Sequence, residues 1–184
     1  LTKATGELRT LDLLVITWGT AWVYRYTREN IVVSNCHKIP SQEFERSRLS
    51  VEDIVKEYLV LIGRLREINP GLRILFTVSP IRHWKDGAHG NQLSKATLLL
   101  AIDRLREELQ HVYYFPAYEI VLDELRDYRF YADDMLHMSG FTVDYIWERF
   151  LYSFISPEVL GLMNQIGRVN KGVAHRPQKN ITVW

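Results

Sequence analysis

The chain has 184 residues, 47% of them hydrophobic and 24% charged, with a formal net charge of +1. That composition suits one globular domain, or most of one, and a near-neutral balance supplies no general attraction to nucleic acid or to a membrane surface, so neither is expected as a partner. The single cysteine, Cys36, excludes an intrachain disulfide framework, and no apolar run reaches the roughly 18 residues of a membrane span; both fit a cytoplasmic protein without requiring one.

Leu11 to Thr17 is a continuous apolar run ending near Gly19, which predicts a strand covered on both faces and flanked by neighbours in a parallel sheet. Tyr24 to Asn30 reads as a polar turn, and Ile31 to Val33 as a short edge strand or buried loop. Ser50 and Asp53 form a capping pair that opens a helix, with Ile54, Tyr58, Leu61, Leu65 and Ile68 as its apolar stripe. Asn69-Pro-Gly71 stops it. Arg73 to Val78 is a second buried-type strand, Ile81 to Asn91 a polar loop, and Leu93 to Gln110 a helix with Leu98, Ile102, Leu105 and Leu109 on one face. Val112 to Phe115 is a third strand, Ala117 to Leu125 and Phe141 to Ser153 are helical, and Ser156-Pro157 begins a last helix. From Arg168 the chain is basic and reads as extended. The alternation of strands and helices predicts a three-layer α/β/α sandwich with a parallel sheet, comprising residues 1–155, followed by a helix and basic tail in 156–184.

Ligands of such sheets sit beyond the C-terminal ends of the strands, so the residues there are the candidates for chemistry. Asp134 and His137, in Tyr131-Ala-Asp-Asp-Met-Leu-His-Met-Ser-Gly140, have a spacing that lets a carboxylate fix an imidazole tautomer and make the ring a general base. Asp133 is the competing carboxylate. Gly19 ends the first strand, where a backbone amide can approach a developing anion. Asn35 and His37 lie in a dense polar cluster before Pro40; Asn35 is a candidate amide donor, and Cys36 beside His37 is read as a structural thiol because adjacent residues rarely transfer protons to each other. Arg82 and His83 follow the second strand and are candidates to line the pocket. The histidines lack metal-ligand spacing, and no metal or other cofactor is expected.

Several blocks together resemble the GSCFA family: Ile16-Thr-Trp-Gly-Thr-Ala-Trp-Val-Tyr24, Asn35-Cys-His-Lys-Ile-Pro40, Thr77-Val-Ser-Pro-Ile-Arg-His83 with Lys85-Asp-Gly87, Ser94-Lys-Ala96, and Tyr114 to Tyr131. That family looks like a branch of the SGNH, or GDSL-like, hydrolases, and the resemblance implies a serine esterase or acyltransferase acting on a small-molecule or carbohydrate ester. It implies His137 as base, Asp134 as its orienting acid and Gly19 as an oxyanion donor, with Ala21 and Trp22 standing where the superfamily has Asn and Asp. The Gly-Ser-Cys-Phe-Ala motif with the nucleophile is not in these residues. The chain is therefore expected to be the C-terminal part of a catalytic domain, with the first strands and the serine before Leu1 and an exposed strand edge open to self-association. The alternative is a non-catalytic carbohydrate-binding or assembly protein on a degenerate hydrolase scaffold.

Overall fold

The computed structural model describes residues 6–33 and 38–174. The chain divides into two compact units, Leu1–Ser139 and Gly140–Trp184.

In the first unit, β1 (Leu13–Trp18), β5 (Arg73–Val78) and β6 (Val112–Phe115) form a parallel sheet in the order β1-β5-β6. Helices α1 (Val51–Ile68) and α2 (Gly87–Glu108) make the crossovers that parallel pairing demands. Leu13 to Trp18 pair in register with Arg73 to Val78, and Ile74 to Thr77 with Val112 to Phe115. Ile74, Phe76 and Val78 face one way and join Ile54, Val55 and Ile62 of α1 and Leu98, Ala101, Ile102 and Leu105 of α2 in one core. Leu75, which alternation places on the opposite face, is also fully buried. The architecture is α/β with a parallel sheet layered between helices, as the sequence predicts.

β1 departs from expectation. The departure is in its faces, where Val15 is 48% exposed; its single neighbour among the described residues agrees with the exposed strand edge expected there. Its inward residues Leu14, Ile16 and Trp18 pack on the core, so the strand is half-buried and its apolar outer face stands uncovered. Trp18 anchors the buried side, its ring 4.7 Å from those of Tyr58 and Phe76, and its Nε1 donates to the Tyr58 hydroxyl at 2.7 Å.

Between β1 and α1 the chain makes a second, antiparallel sheet in the order β3-β2-β4: β2 (Trp22–Tyr26), β3 (Ile31–Val33) and β4 (Phe44–Arg48). Of the segment read as a turn, Tyr24 to Asn30, the first three residues belong to β2 and the turn itself is Thr27 to Asn30, where Asn30 takes φ 53°. Asparagine tolerates that left-handed conformation. Register sets Tyr24 opposite Arg46 and Tyr26 opposite Phe44, so aromatic and cationic side chains share a face.

Ser50 caps α1 as expected: its Oγ accepts from the Asp53 amide at 3.0 Å, and Asp53 accepts from the Ser50 amide at 3.2 Å. The buried stripe is rotated from the one read in sequence. Ile54, Val55 and Ile62 are buried, whereas Leu61 and Ile68 are exposed; the true 3.6-residue period drifts off a 3.5-residue reading over five turns. Helix α2 begins at Gly87, six residues before the expected start. Its first turns carry polar residues, including Asn91, Ser94 and Lys95, that face the strand ends and so mimic a loop in composition. After β6 comes α3, a helical turn Ala117–Glu119 that widens into a π-helical turn Ile120–Glu124.

The second unit holds α4 (Gly140–Phe154) and α5 (Pro157–Ala174). Helix α5 runs through Arg168 and Lys171, where extended chain was expected; Val159, Leu162, Ile166, Val169 and Val173 continue a helical apolar stripe past the basic residues and leave it exposed. Among the described residues no helix is long and apolar enough to cross a membrane.

Candidate active site

Two polar groups lie at the C-terminal edge of the parallel sheet. The first is the loop from Tyr131 to Ser139. It closes on itself as a narrow hairpin: Ala132 N–H donates to His137 O at 2.8 Å, Met135 N–H to Ala132 O at 2.9 Å and Ser139 N–H to Phe130 O at 3.0 Å. Met135 sits at its tip with φ 59°. Asp134 organises the interior. Its Oδ1 accepts from the amides of Leu136 at 2.9 Å and His137 at 2.8 Å, and its Oδ2 meets Nδ1 of the His137 ring at 2.5 Å.

The three-residue spacing thus does two things: it folds the backbone around the carboxylate and brings the ring onto its second oxygen. The His137 ring bond, with the two amides, holds the Asp134 carboxyl down at about 2. An ionised carboxylate only accepts, so Nδ1 carries a proton and the bond fixes the ring with Nε2 pointing away from Asp134. Among the described residues Nε2 has no hydrogen-bond partner. Asp134 rather than Asp133 is the carboxylate on the ring.

The second group gathers where β1 and β5 end. Lys95, on the inward face of α2, is 1% exposed, and its ammonium donates to Gly19 O and Ser79 O, each at 2.6 Å. Among the described residues no carboxylate pairs with it, and burial pushes it down to about 8. The bond from Ser79 N–H to Trp18 O is the last of the β1–β5 ladder. A continuing parallel ladder would next send Thr20 N–H to Ser79 O; Lys95 occupies that oxygen instead. Peptide planarity turns Thr20 N–H away from the captured Gly19 carbonyl, and among the described residues it has no acceptor. Beside Lys95, Ser94 Oγ accepts from Ala21 N–H at 2.8 Å and meets Thr20 Oγ1 at 3.0 Å. The turn Gly19-Thr-Ala21 is therefore fixed from below by two consecutive residues of α2.

His83 Nε2 lies 3.6 Å from where a Cβ on Gly19 would stand, and the His83 amide is held by Asn91 Oδ1 at 3.1 Å. His83, Arg82, Tyr118 and Leu122 help to line a cavity of about 210 Å³. Arg82 connects the two groups: its guanidinium donates to the Tyr131 hydroxyl at 3.2 Å, and Tyr131 bridges Met138 at the stem of the His137 loop.

The structure thus brings Gly19 and His83 into contact, and Asp134 and His137 into contact, with Arg82 and Tyr131 between. Asn35, Cys36 and His37 lie outside the described residues. Among those described, no group of three His, Cys, Asp or Glu side chains could hold a metal ion. Sequence reading missed Lys95 as a site residue, though a signal was present: the α2 stripe of Leu98, Ile102 and Leu105, extended back two turns, lands on Ser94, Lys95 and Asn91. Polar residues on a core-facing stripe need partners, and these find them at the strand ends.

No curated protein sequence matches the chain. A model of the GSCFA family matches residues 1–150. That span is most of the chain and includes the blocks from Ile16 to Tyr131, so the chain belongs to the GSCFA family.

Proposed function

We propose that this domain supplies the base and oxyanion machinery of an ester hydrolase or acyltransferase, of the type to which SGNH hydrolases belong, acting on an acylated carbohydrate. The carrying observation is the Asp134–His137 pair, with an ionised carboxylate on Nδ1 and an unengaged Nε2. In this reading Nε2 takes the proton of an attacking serine and returns it to the leaving alcohol. The hydroxyl comes from the Gly-Ser-Cys-Phe-Ala motif for which the family is named and which these 184 residues do not contain. Thr20 N–H, turned away from Lys95, is the backbone donor available to a tetrahedral intermediate. The choice of a carbohydrate rests on superfamily analogy alone.

The test is hydrolysis of p-nitrophenyl acetate by a protein that carries both the motif and this chain. Turnover is expected, and His137→Ala should lower kcat/KM by about 10²–10⁴-fold. Unchanged turnover in that variant rejects the assignment.

One observation favours a second reading, a carbohydrate-binding or assembly protein without catalysis. Ala21, at the position where the superfamily carries an oxyanion-holding Asn, is 1% exposed and presents only a buried methyl group. Absence of ester cleavage alongside retained sugar binding would select this reading.

A further inference from the structure

The antiparallel sheet forms one wall of a groove that neither Asp134 nor His137 enters. Its volume is about 520 Å³, and its lining includes Thr20, Trp22, Tyr24, Arg46, His83 and Lys85. His83 also lines the smaller cavity of about 210 Å³ and lies against Gly19, so the two spaces share a wall residue at the strand end.

Two cations in this groove are laid on aromatic rings. The Arg46 guanidinium lies 4.3 Å from the Trp22 ring centroid and 5.7 Å from that of Tyr24, a consequence of the register that puts Arg46 opposite Tyr24. The Lys85 ammonium stands 5.1 Å from the Tyr24 centroid and donates to its hydroxyl at 2.7 Å. Stacking holds both cations without neutralising them. Among the described residues one carboxylate is present: Asp86, whose side chain is fully buried, pairs with one terminal nitrogen of Arg46. Among the described residues, two cations against one anion leave a net positive wall, and Tyr24 and His83 are the other titratable groups lining it. Arg46 Nε, Trp22 Nε1 and the second oxygen of Asp86, Oδ2, are buried without a partner among the described residues. The planar guanidinium is fixed edge and face while its side chain stays 24% exposed, so an oxyanion in the groove can reach it.

We propose that this groove binds an oxyanion, a carboxylate or phosphate group, through Arg46 and Lys85. That the anion is part of the substrate rests on the esterase reading, because the groove opens beside Gly19 and Thr20; the acylated molecule would then be an acidic or phosphorylated sugar. The anion site itself does not depend on catalysis.

The test titrates the protein with inorganic phosphate, D-glucuronate and, as a neutral control, D-glucose, following the indole N–H resonances by NMR. Saturable binding of an anion, weakened by salt and absent for glucose, is expected. Lys85→Ala, an exposed change that should leave folding intact, should weaken binding several-fold, and Arg46→Lys, which keeps charge but loses the fork, by about tenfold. Preference for phosphate or for glucuronate tells which anion the site is shaped for. No saturation with either anion, equal response to glucose, or wild-type affinity in both variants overturns the proposal. Anion binding without ester cleavage would sink the esterase reading alone; cleavage without anion binding would sink the anion site alone.

Discussion

Lys95 and the Asp134–His137 pair occupy the same edge of the same sheet and have opposite relations to water. Lys95 is 1% exposed, while the Asp134 and His137 side chains are about half-exposed. Burial makes the lysine's charge costly, so both strand-end carbonyls must be spent on it, and what it offers in return is geometry. Exposure leaves the carboxylate stable and the imidazole with one nitrogen open to exchange protons. In the proposed reading the edge separates two tasks, shaping the backbone from below and moving protons from above. A group buried like Lys95 would exchange protons poorly, and a pair exposed like Asp134–His137 would anchor a strand end poorly.

That contrast can be broken from either side. The largest effect should come from His137→Ala, with the 10²–10⁴-fold loss of ester turnover given above and little change in melting temperature, because the ring is half in solvent. Asp134→Asn keeps an acceptor for the two loop amides but loses the anion on Nδ1. Turnover should fall by about 10²-fold, again with a near-native melt. A collapse of stability in either variant would mean that the exposed pair is structural.

Lys95→Met should do the reverse. Two carbonyls lose their donor, each worth about 1–3 kcal/mol when buried and unpaired, so the melting temperature should fall clearly. The pH dependence sharpens the point. The folded lysine gives up its proton near 8 and the unfolded one near 10.5. Between those values the unfolded chain holds more protons, so stability should rise with pH across that window. Above it, Tyr114 and Tyr118, pushed up chiefly by burial, hold their protons longer in the folded state and reverse the slope. Melts of wild type and Lys95→Met from pH 8 to 10 should show the rise only in the wild type. Tyr131→Phe tests the link between the groups. Losing the Arg82 bond should cost about 1 kcal/mol, read as faster hydrogen exchange in the Tyr131–Ser139 loop.

β5 and β6 were legible to the residue because each is a short apolar run closed by Pro, and the Ser50–Asp53 cap because its chemistry is local. The Asp134–His137 contact was legible for the same reason: three residues separate the partners. β2 and β4 were not, since half-exposed strands such as Phe44-Glu-Arg-Ser-Arg48 have the composition of a loop. The first turns of α2 hid in the same way. Lys95 and Gly19 are 76 residues apart, as are Lys85 and Tyr24 by 61, and no local pattern announces such meetings.

The one-sided pairing of β1 has a consequence on the clock of amide exchange. Asp12 O and Trp18 O accept from β5, which fixes the phase of the ladder: the amides of Leu14, Ile16 and Trp18 point at β5, and those of Leu13, Val15 and Thr17 point away from it. In deuterated water β1 should therefore exchange like a comb, alternate residues slow and fast, while β5, paired on both sides, stays slow along its length. If a second chain or another strand docks on that edge, the fast teeth should slow and the comb disappear.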